Sequence, residues 1–207
     1  MDLTSLVTVA AALTASWLRM GIALLFSVFF SIVVGVVTAT NRYFEKVVIP
    51  VLDILQSIPI LGFFPIALAL FYRLSPVIGG ELAAIFLVFT SQVWNITFAV
   101  YESTKLISGE LLDTARALRM SLFEKFRYIY IPATFPRIAQ NLQPSWANGI
   151  FFLVGSEIIS FGENEVRLFG LGTVVADFTL KGDTVGIGLT LLLLVAATVL
   201  TNLFVFT

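Results

Sequence analysis

Two acidic side chains interrupt apolar stretches of this sequence and are its first candidates for chemistry. Asp53 lies within Val47–Tyr72 and Glu157 within Trp146–Phe161. An ionisable group inside an apolar, membrane-spanning segment costs free energy. One hypothesis is therefore that each carboxylate has a function, such as relaying protons. The other is structural, with each carboxylate held by hydrogen bonds or an ion pair. We favour the structural role for both.

Histidine and cysteine are absent. Their absence excludes thiol catalysis, Ser-His-Asp triads and metal sites built on His or Cys ligands. The sequence also lacks a Gly-x4-Gly-Lys-Ser/Thr phosphate-binding loop. We predict no catalytic residue, no metal ligand and no cofactor. A membrane-embedded enzyme using the two carboxylates as acid and base stays an alternative without a supporting motif.

The composition is that of a membrane protein. Of 207 residues, 58% are apolar and 12% are charged, with a net charge of −1. Soluble domains carry about 25% charged residues, so an ordinary soluble domain is excluded. A nucleic-acid binder would need a basic face, so the composition also argues against that class.

Long uncharged segments predict an all-α polytopic membrane protein of about five transmembrane helices, since about 20 apolar residues cross a bilayer. Four spans is the alternative count. Residues 2–18 predict a short interfacial helix before the first span. Residues 1–207 form one transmembrane domain, with spans at about 17–40, 47–72, 82–101, 141–161 and 184–207 and a loop at about 102–140.

The basic residues predict the orientation. Eight of the twelve Lys and Arg residues lie in the loops 41–46 and 102–140. Basic loops stay cytoplasmic, so the N-terminus is expected outside and the C-terminus inside.

The loop 102–140 has an amphipathic helical pattern. Leu111, Ala115, Leu118, Leu122 and Phe126 share one face. A capping box at Ser121–Glu124 predicts a second helix after a break at Arg119–Ser121, and Pro132 and Pro136 predict its end. Such a pair suits docking on a cytoplasmic partner or lying on the bilayer, and the pattern leaves both open.

The same loop resembles a known motif. Asp113-Thr114-Ala115-x3-Arg119-x9-Ile129-x-Ile131-Pro132 is similar to the EAA loop of ATP-binding-cassette (ABC) importer permeases, Glu-Ala-Ala-x3-Gly-x9-Ile-x-Leu-Pro. The spacing matches throughout. Arg119 departs from the family's glycine, which would form a left-handed turn at low cost.

Other segments resemble the nitrate/sulfonate/taurine branch of these permeases. They are Gln56–Pro65, Gly155-Ser156-Glu157 and Gly170-Leu171-Gly172. Trp94–Phe98 and Gly149–Phe152 are similar to the branch's duplicated anion permeases, so one unit would be half of such a protein.

The resemblance implies a type I transmembrane domain and a set of partners. The protein partners are a second permease domain, two cytoplasmic ATPase subunits that bind the ATP and an extracellular substrate-binding protein. The second permease domain would be an identical copy, a fused half or a different chain. The chain would lie in the lipid bilayer and bind no nucleic acid. The substrate would be a small anion such as nitrate, sulfonate, taurine or bicarbonate, imported across a prokaryotic cell membrane. The alternative is a proton-coupled secondary transporter using Asp53 and Glu157.

Two groups of site residues follow. The resemblance assigns ATPase coupling to Asp113, Thr114, Ala115, Arg116, Arg119, Met120, Ile129, Ile131 and Pro132. Polar residues within spans are candidates for the pathway: Gln56, Ser57, Asn95, Thr97, Asn148 and Glu157.

Overall fold

The computed structural model describes residues 3–75, 77–161 and 164–206 of the chain and confirms the all-α class. Two short antiparallel strands, β1 (Ile158–Phe161) and β2 (Asn164–Arg167), join α7 to α8. The helices are α1 (Leu3–Thr40), α2 (Arg42–Ser57), α3 (Ile60–Leu74), α4 (Gly79–Lys105), α5 (Gly109–Ala117), α6 (Leu122–Lys125), α7 (Ile131–Glu157), α8 (Leu171–Leu180) and α9 (Thr184–Val205), and a π-helical turn (Phe126–Tyr130) precedes α7.

Helix α4 is the centre of the bundle. Sixteen of its 27 residues are buried, and it packs against α1, α3 and α7. Its buried face is rich in Ala, Ser, Thr and Gly, which let helices approach closely when there is no hydrophobic drive in lipid. The remaining helices are arranged around this one.

Small residues of α1 make the closest contact with α4. The hydroxyls of Ser31 and Thr97 lie 2.8 Å apart. A β-carbon at Gly35 would lie 2.7 Å from Cγ1 of Val100. The stripe Ser27-Ser31-Gly35 therefore serves packing within this chain.

Three helices among the described residues are long and apolar enough to cross a membrane: Leu6–Thr40, Gly79–Lys105 and Thr184–Val205. The separate interfacial helix expected at residues 2–18 is wrong from Leu3 onward, since α1 is continuous to Thr40; Asp2 lies outside the described residues. No proline occurs between residues 3 and 40, so the backbone has no cause to break.

The segment 47–72, for which the three prolines indicate a broken or kinked half, consists of two helices. Helix α2 ends at Ser57 and α3 begins at Ile60. Ile58 is extended, with φ −74° and ψ 130°, because the ring of Pro59 disfavours a helical residue before it. The segment 141–161 falls within α7 and β1. The total of five spans remains a prediction.

The expected helix stop at Pro132 and Pro136 is wrong. Helix α7 starts at Ile131 and passes both residues. A proline inside a helix clashes with the carbonyl four residues earlier. Directly before Pro132 the turn is π-helical, and the amide of Ile131 bonds to the carbonyl of Phe126 five residues back. This wider turn admits the ring.

Tryptophan is typical of membrane interfaces, but Trp146 is part of the core. It is 6% exposed, and its ring contacts those of Trp17 and Phe206. It packs with Met20, Val88 and Leu153, where α1, α4 and α7 meet.

We predict that Gly35→Ala destabilises the protein, because the new methyl group overlaps the branched side chain of Val100. Overpacking of this kind costs about 1–3 kcal/mol. The measurement is the thermal unfolding midpoint in detergent.

Gly21→Ala is the matched control on the same helix, since a β-carbon there meets nothing within 4 Å. It should leave the midpoint unchanged or raise it, because alanine favours helix over glycine. Equal midpoints for the two variants would contradict the close α1–α4 contact.

Candidate functional site

The break between the two helices of the loop lies where the sequence predicts it. Helix α5 is capped by Ser108 and ends at Ala117. Arg119 then adopts a left-handed conformation with φ 53°. The turn is thus the one that glycine would make, and Arg119 forms it despite its β-carbon.

The capping box that starts α6 is confirmed. The amide of Ser121 donates to the Glu124 carboxylate at 2.7 Å, and the amide of Glu124 donates to the Ser121 hydroxyl at 3.2 Å. Hydrogen bonds that the Glu124 carboxylate accepts, first from the Ser121 backbone and then from the Ser121 side chain, lower the pKa of Glu124 from its ordinary value. The box fixes where the second helix begins.

Apolar side chains of this helix pair face outward. We call the exposed Leu111, Leu118, Leu122 and Phe123 the helix-pair surface; their exposed fractions are 46%, 70%, 84% and 72%. Because a cluster of exposed large apolar groups marks an interaction site, this surface fits a binding partner or a bilayer.

The motif residues divide between the surface and the bundle. Ala115 and Ile129 are buried. Asp113 and Arg116 form an exposed ion pair at 2.9 Å. Thr114, Arg119 and Pro132 are exposed, and Met120 and Ile131 are half-buried.

A cavity of about 360 Å³ separates the helix pair from the ends of α1 and α4. Its lining includes Thr40, Lys105, Arg116, Lys125 and Tyr130. The helix pair therefore touches the bundle at a few residues and does not share a continuous apolar core with it.

A buried ionic cluster occupies the opposite end of the bundle. Glu157 ends α7 and has no exposed surface. Nη1 of Arg19 on α1 lies 2.7 Å from its carboxylate. The same guanidinium donates two hydrogen bonds to Glu81 at the start of α4, at 2.6 and 2.7 Å. One cation thus joins three helices.

Backbone groups complete the cluster. The carboxylate of Glu157 accepts from the hydroxyl of Ser16 and, at 2.7 Å, from the amide of Gly172. A β-carbon at Gly170 would lie 2.2 Å from the Glu157 carboxyl. Glycine is therefore required beside Glu157, and the Gly-Leu-Gly segment docks α8 on this carboxylate.

Sequence reasoning missed Arg19 and Ser16 as partners of Glu157, and Glu81 as the second partner of Arg19. A usable signal was present, since a carboxylate in an apolar span needs a cation and Arg19 is the only basic residue of α1.

The structure does not bring the pathway candidates together. Glu157 belongs to the ionic cluster. Thr97 is buried and bonded to Ser31. Gln56 and Ser57 are exposed on α2, where the Gln56 amide donates to Asp53. Asn95 and Asn148 are exposed on α4 and α7.

Asp53 and Glu157 do not form a pair. Asp53 is exposed on α2 and accepts from Gln56 at 3.1 Å, whereas Glu157 contacts Arg19, Ser16 and Gly172. These contacts are structural in character and give no relay between the two carboxylates.

An outward-facing helix pair on a bundle of membrane-length helices is the architecture of a transporter's membrane subunit. Residues 27–207 match the family described as "Binding-protein-dependent transport system inner membrane component". The chain belongs to this family.

Relatives and a solved structure agree with it. The bicarbonate transport system permease protein CmpB of Synechococcus elongatus is 28% identical over 144 residues, 70% of this chain and 48% of that protein. The nitrate import permease protein NrtB of Leptolyngbya laminosa is 25% identical over 150 residues, 72% of this chain and 52% of that protein. The chain thus spans about half the length of these relatives.

An inward-facing structure of the MetNI methionine ABC transporter matches with a TM-score of 0.74 and 18% identity, covering 98% of this chain and 95% of that one. This likeness shows the fold. Together the comparisons give no support to the secondary-transporter alternative.

We predict that Arg19→Met lowers the free energy of unfolding by about 3–5 kcal/mol, because it leaves a buried carboxylate without its cation. Arg167→Met is the control, since the Arg167–Asp177 pair lies at the surface and such pairs are worth at most about 1 kcal/mol.

Denaturant unfolding in detergent measures both variants. Adding Glu157→Gln to Arg19→Met should recover part of the loss, because the uncompensated charge is then removed. Equal losses for Arg19→Met and Arg167→Met would show that the cluster does not hold the helices together.

Proposed function

We propose that this chain is the permease subunit of an ABC importer and that ATPase subunits dock on its helix-pair surface. The observation that carries the proposal is the exposed apolar face of α5 and α6, built on the EAA-like spacing. A partner that covers this face removes the apolar area from water.

Helix α7 supplies the mechanical link. The helix pair leads through the π-helical turn into α7, which runs unbroken to Glu157. A partner that moves the pair between two positions therefore moves α7 as well. ATP binding and hydrolysis in the partner would supply the differential interaction with two states that such a change requires.

The substrate we propose is a small oxyanion of the bicarbonate or nitrate class. The support is that this chain's relatives CmpB and NrtB are permeases for bicarbonate and nitrate. A sulfonate or taurine fits the same branch. The assembly would include a second permease domain, two ATPase subunits and a substrate-binding protein that meets the β1–β2 hairpin and α8.

The proposed location is the cell membrane of a prokaryote, with the N-terminus outside and the C-terminus in the cytoplasm. The basic loops at 41–46 and 102–140 support it by the positive-inside rule. The helix pair then faces the cytoplasm, where ATP is available.

We predict that Leu122→Glu abolishes copurification of the ATPase subunits and substrate-stimulated ATP hydrolysis, because it places a charge at the most exposed apolar position of the helix-pair surface. Charge within a buried apolar contact costs several kcal/mol, so binding should fall by at least about tenfold. Copurification from native membranes and hydrolysis by the reconstituted complex measure the effect.

Leu180→Glu is the matched control, because Leu180 is 77% exposed but lies on α8. It should retain the ATPase subunits. Normal coupled uptake by Leu122→Glu would exclude the docking role.

We predict that a cysteine at Asn164 is labelled from outside the cell and a cysteine at Glu110 only from the cytoplasmic side. The chain contains no cysteine, so each variant reports one position to an impermeant maleimide. The reverse pattern would invert the topology.

A further inference from the structure

The outer face of α7 carries polar side chains among apolar ones such as Phe135 and Phe151. Four of its exposed residues, Arg137, Gln140, Gln143 and Asn148, are polar, and we call them the α7 polar strip. Within the part of the chain that the structure describes, their side chains have no hydrogen-bond or ion-pair partner. Unpaired amides of this kind need water or a polar ligand.

The strip reaches the depth at which the other helices are apolar. Gly149 contacts Gln92, because a β-carbon there would lie 2.5 Å from the Gln92 amide nitrogen. Gln92 is the central residue of α4 (Gly79–Lys105), so the adjacent Asn148 lies near the middle of a membrane-length helix. Ile138, at the other end of the strip, packs against Ile96 and Val100 of α4.

Exposed positions on α1 and α9 show what a lipid-facing surface of this protein looks like. Leu25 and Phe29 on α1 are 73% and 69% exposed, and Val195 and Leu203 on α9 are 61% and 60% exposed. All are apolar, as a hydrocarbon environment requires. The α7 polar strip does not fit that environment.

The chemistry of the strip favours anions. Side-chain amides and a guanidinium donate hydrogen bonds to oxyanions. Helix α7 carries one acidic residue, Glu157, and Arg19 pairs with it inside the bundle. An exposed carboxylate beside the strip would repel an anion. Helix α7 exposes no such carboxylate there.

We propose that the α7 polar strip is one wall of a water-filled anion pathway. Gln140, Gln143 and Asn148 donate to a passing oxyanion, and Arg137 attracts it at one end. The strip extends about 16 Å from Arg137 to Asn148 at the rise of an α-helix. The inference rests on the proposed permease function, and the second permease domain supplies the opposite wall.

Thiol accessibility in the assembled, reconstituted transporter tests the wall directly. Single cysteines replace Gln143 or Asn148 in the cysteine-free chain, and Leu25→Cys and Val195→Cys are the lipid-facing controls. The probe is an impermeant anionic methanethiosulfonate. We expect the strip variants to react at least about tenfold faster than the controls, because thiolates form only where water reaches them. We also expect excess nitrate or bicarbonate to slow the reaction of the strip variants.

The outcomes separate this proposal from the permease function. Uptake and ATP hydrolysis by the unmodified complex report the function, while the ratio of labelling rates reports the wall. Reaction of Asn148→Cys no faster than Val195→Cys, in a complex that transports, would show lipid or a dry helix interface and would overturn the proposal.

A charge substitution gives a second readout. Asn148→Asp should lower anion uptake by about tenfold, since like charges in a confined site cost a few kcal/mol, while the ATPase subunits remain bound. Asn148→Gln keeps the amide and should lower uptake less than Asn148→Asp does. Equal uptake by the two variants would also overturn the role of the strip.

Discussion

The arrangement of helices at one end of this protein follows from the charge of Glu157, a carboxylate without exposed surface. An uncompensated charge there would lower the free energy of unfolding by about 3–5 kcal/mol. Arg19 provides the compensating cation, and its guanidinium has enough donors to hold Glu81 as well. Because these three residues come from α7, α1 and α4, neutralising one group fixes how three helices meet. The glycines beside Glu157 then allow α8 to close over it.

The two ends of the bundle differ in how tightly their helices are joined. The Glu157 end is closed by an ion pair and hydrogen bonds between helices, so it resists separation. The other end carries an apolar surface that the protein itself does not cover and a cavity beneath it. Helix α7 joins the two ends without a break, since the π-helical turn admits the prolines at its start. A contact at the open end can thus act on the closed end through one stiff element.

Much of the helix pair was predictable, because local chemistry controls it. The capping box at Ser121 and the break at Arg119 depend on residues a few positions apart, and both appear in the structure. The stop at Pro132 was predicted wrongly, because a preceding π-helical turn gives a proline room that sequence pattern does not reveal. Tryptophan as a residue type is typical of membrane interfaces, whereas the neighbours of Trp146 across the bundle place it in the core.

The sequence by itself determined the membrane class, the helical fold, the basic loops and the motif spacing that points to the family. These properties depend on composition and on local spacing. Only the tertiary structure decided that Arg19 neutralises Glu157 and also binds Glu81, that Thr97 serves packing, and that Asn148 faces outward near the centre of α4. These positions depend on which helix faces meet, and the contacts join residues 60 to 140 positions apart, where one-dimensional periodicity carries no information.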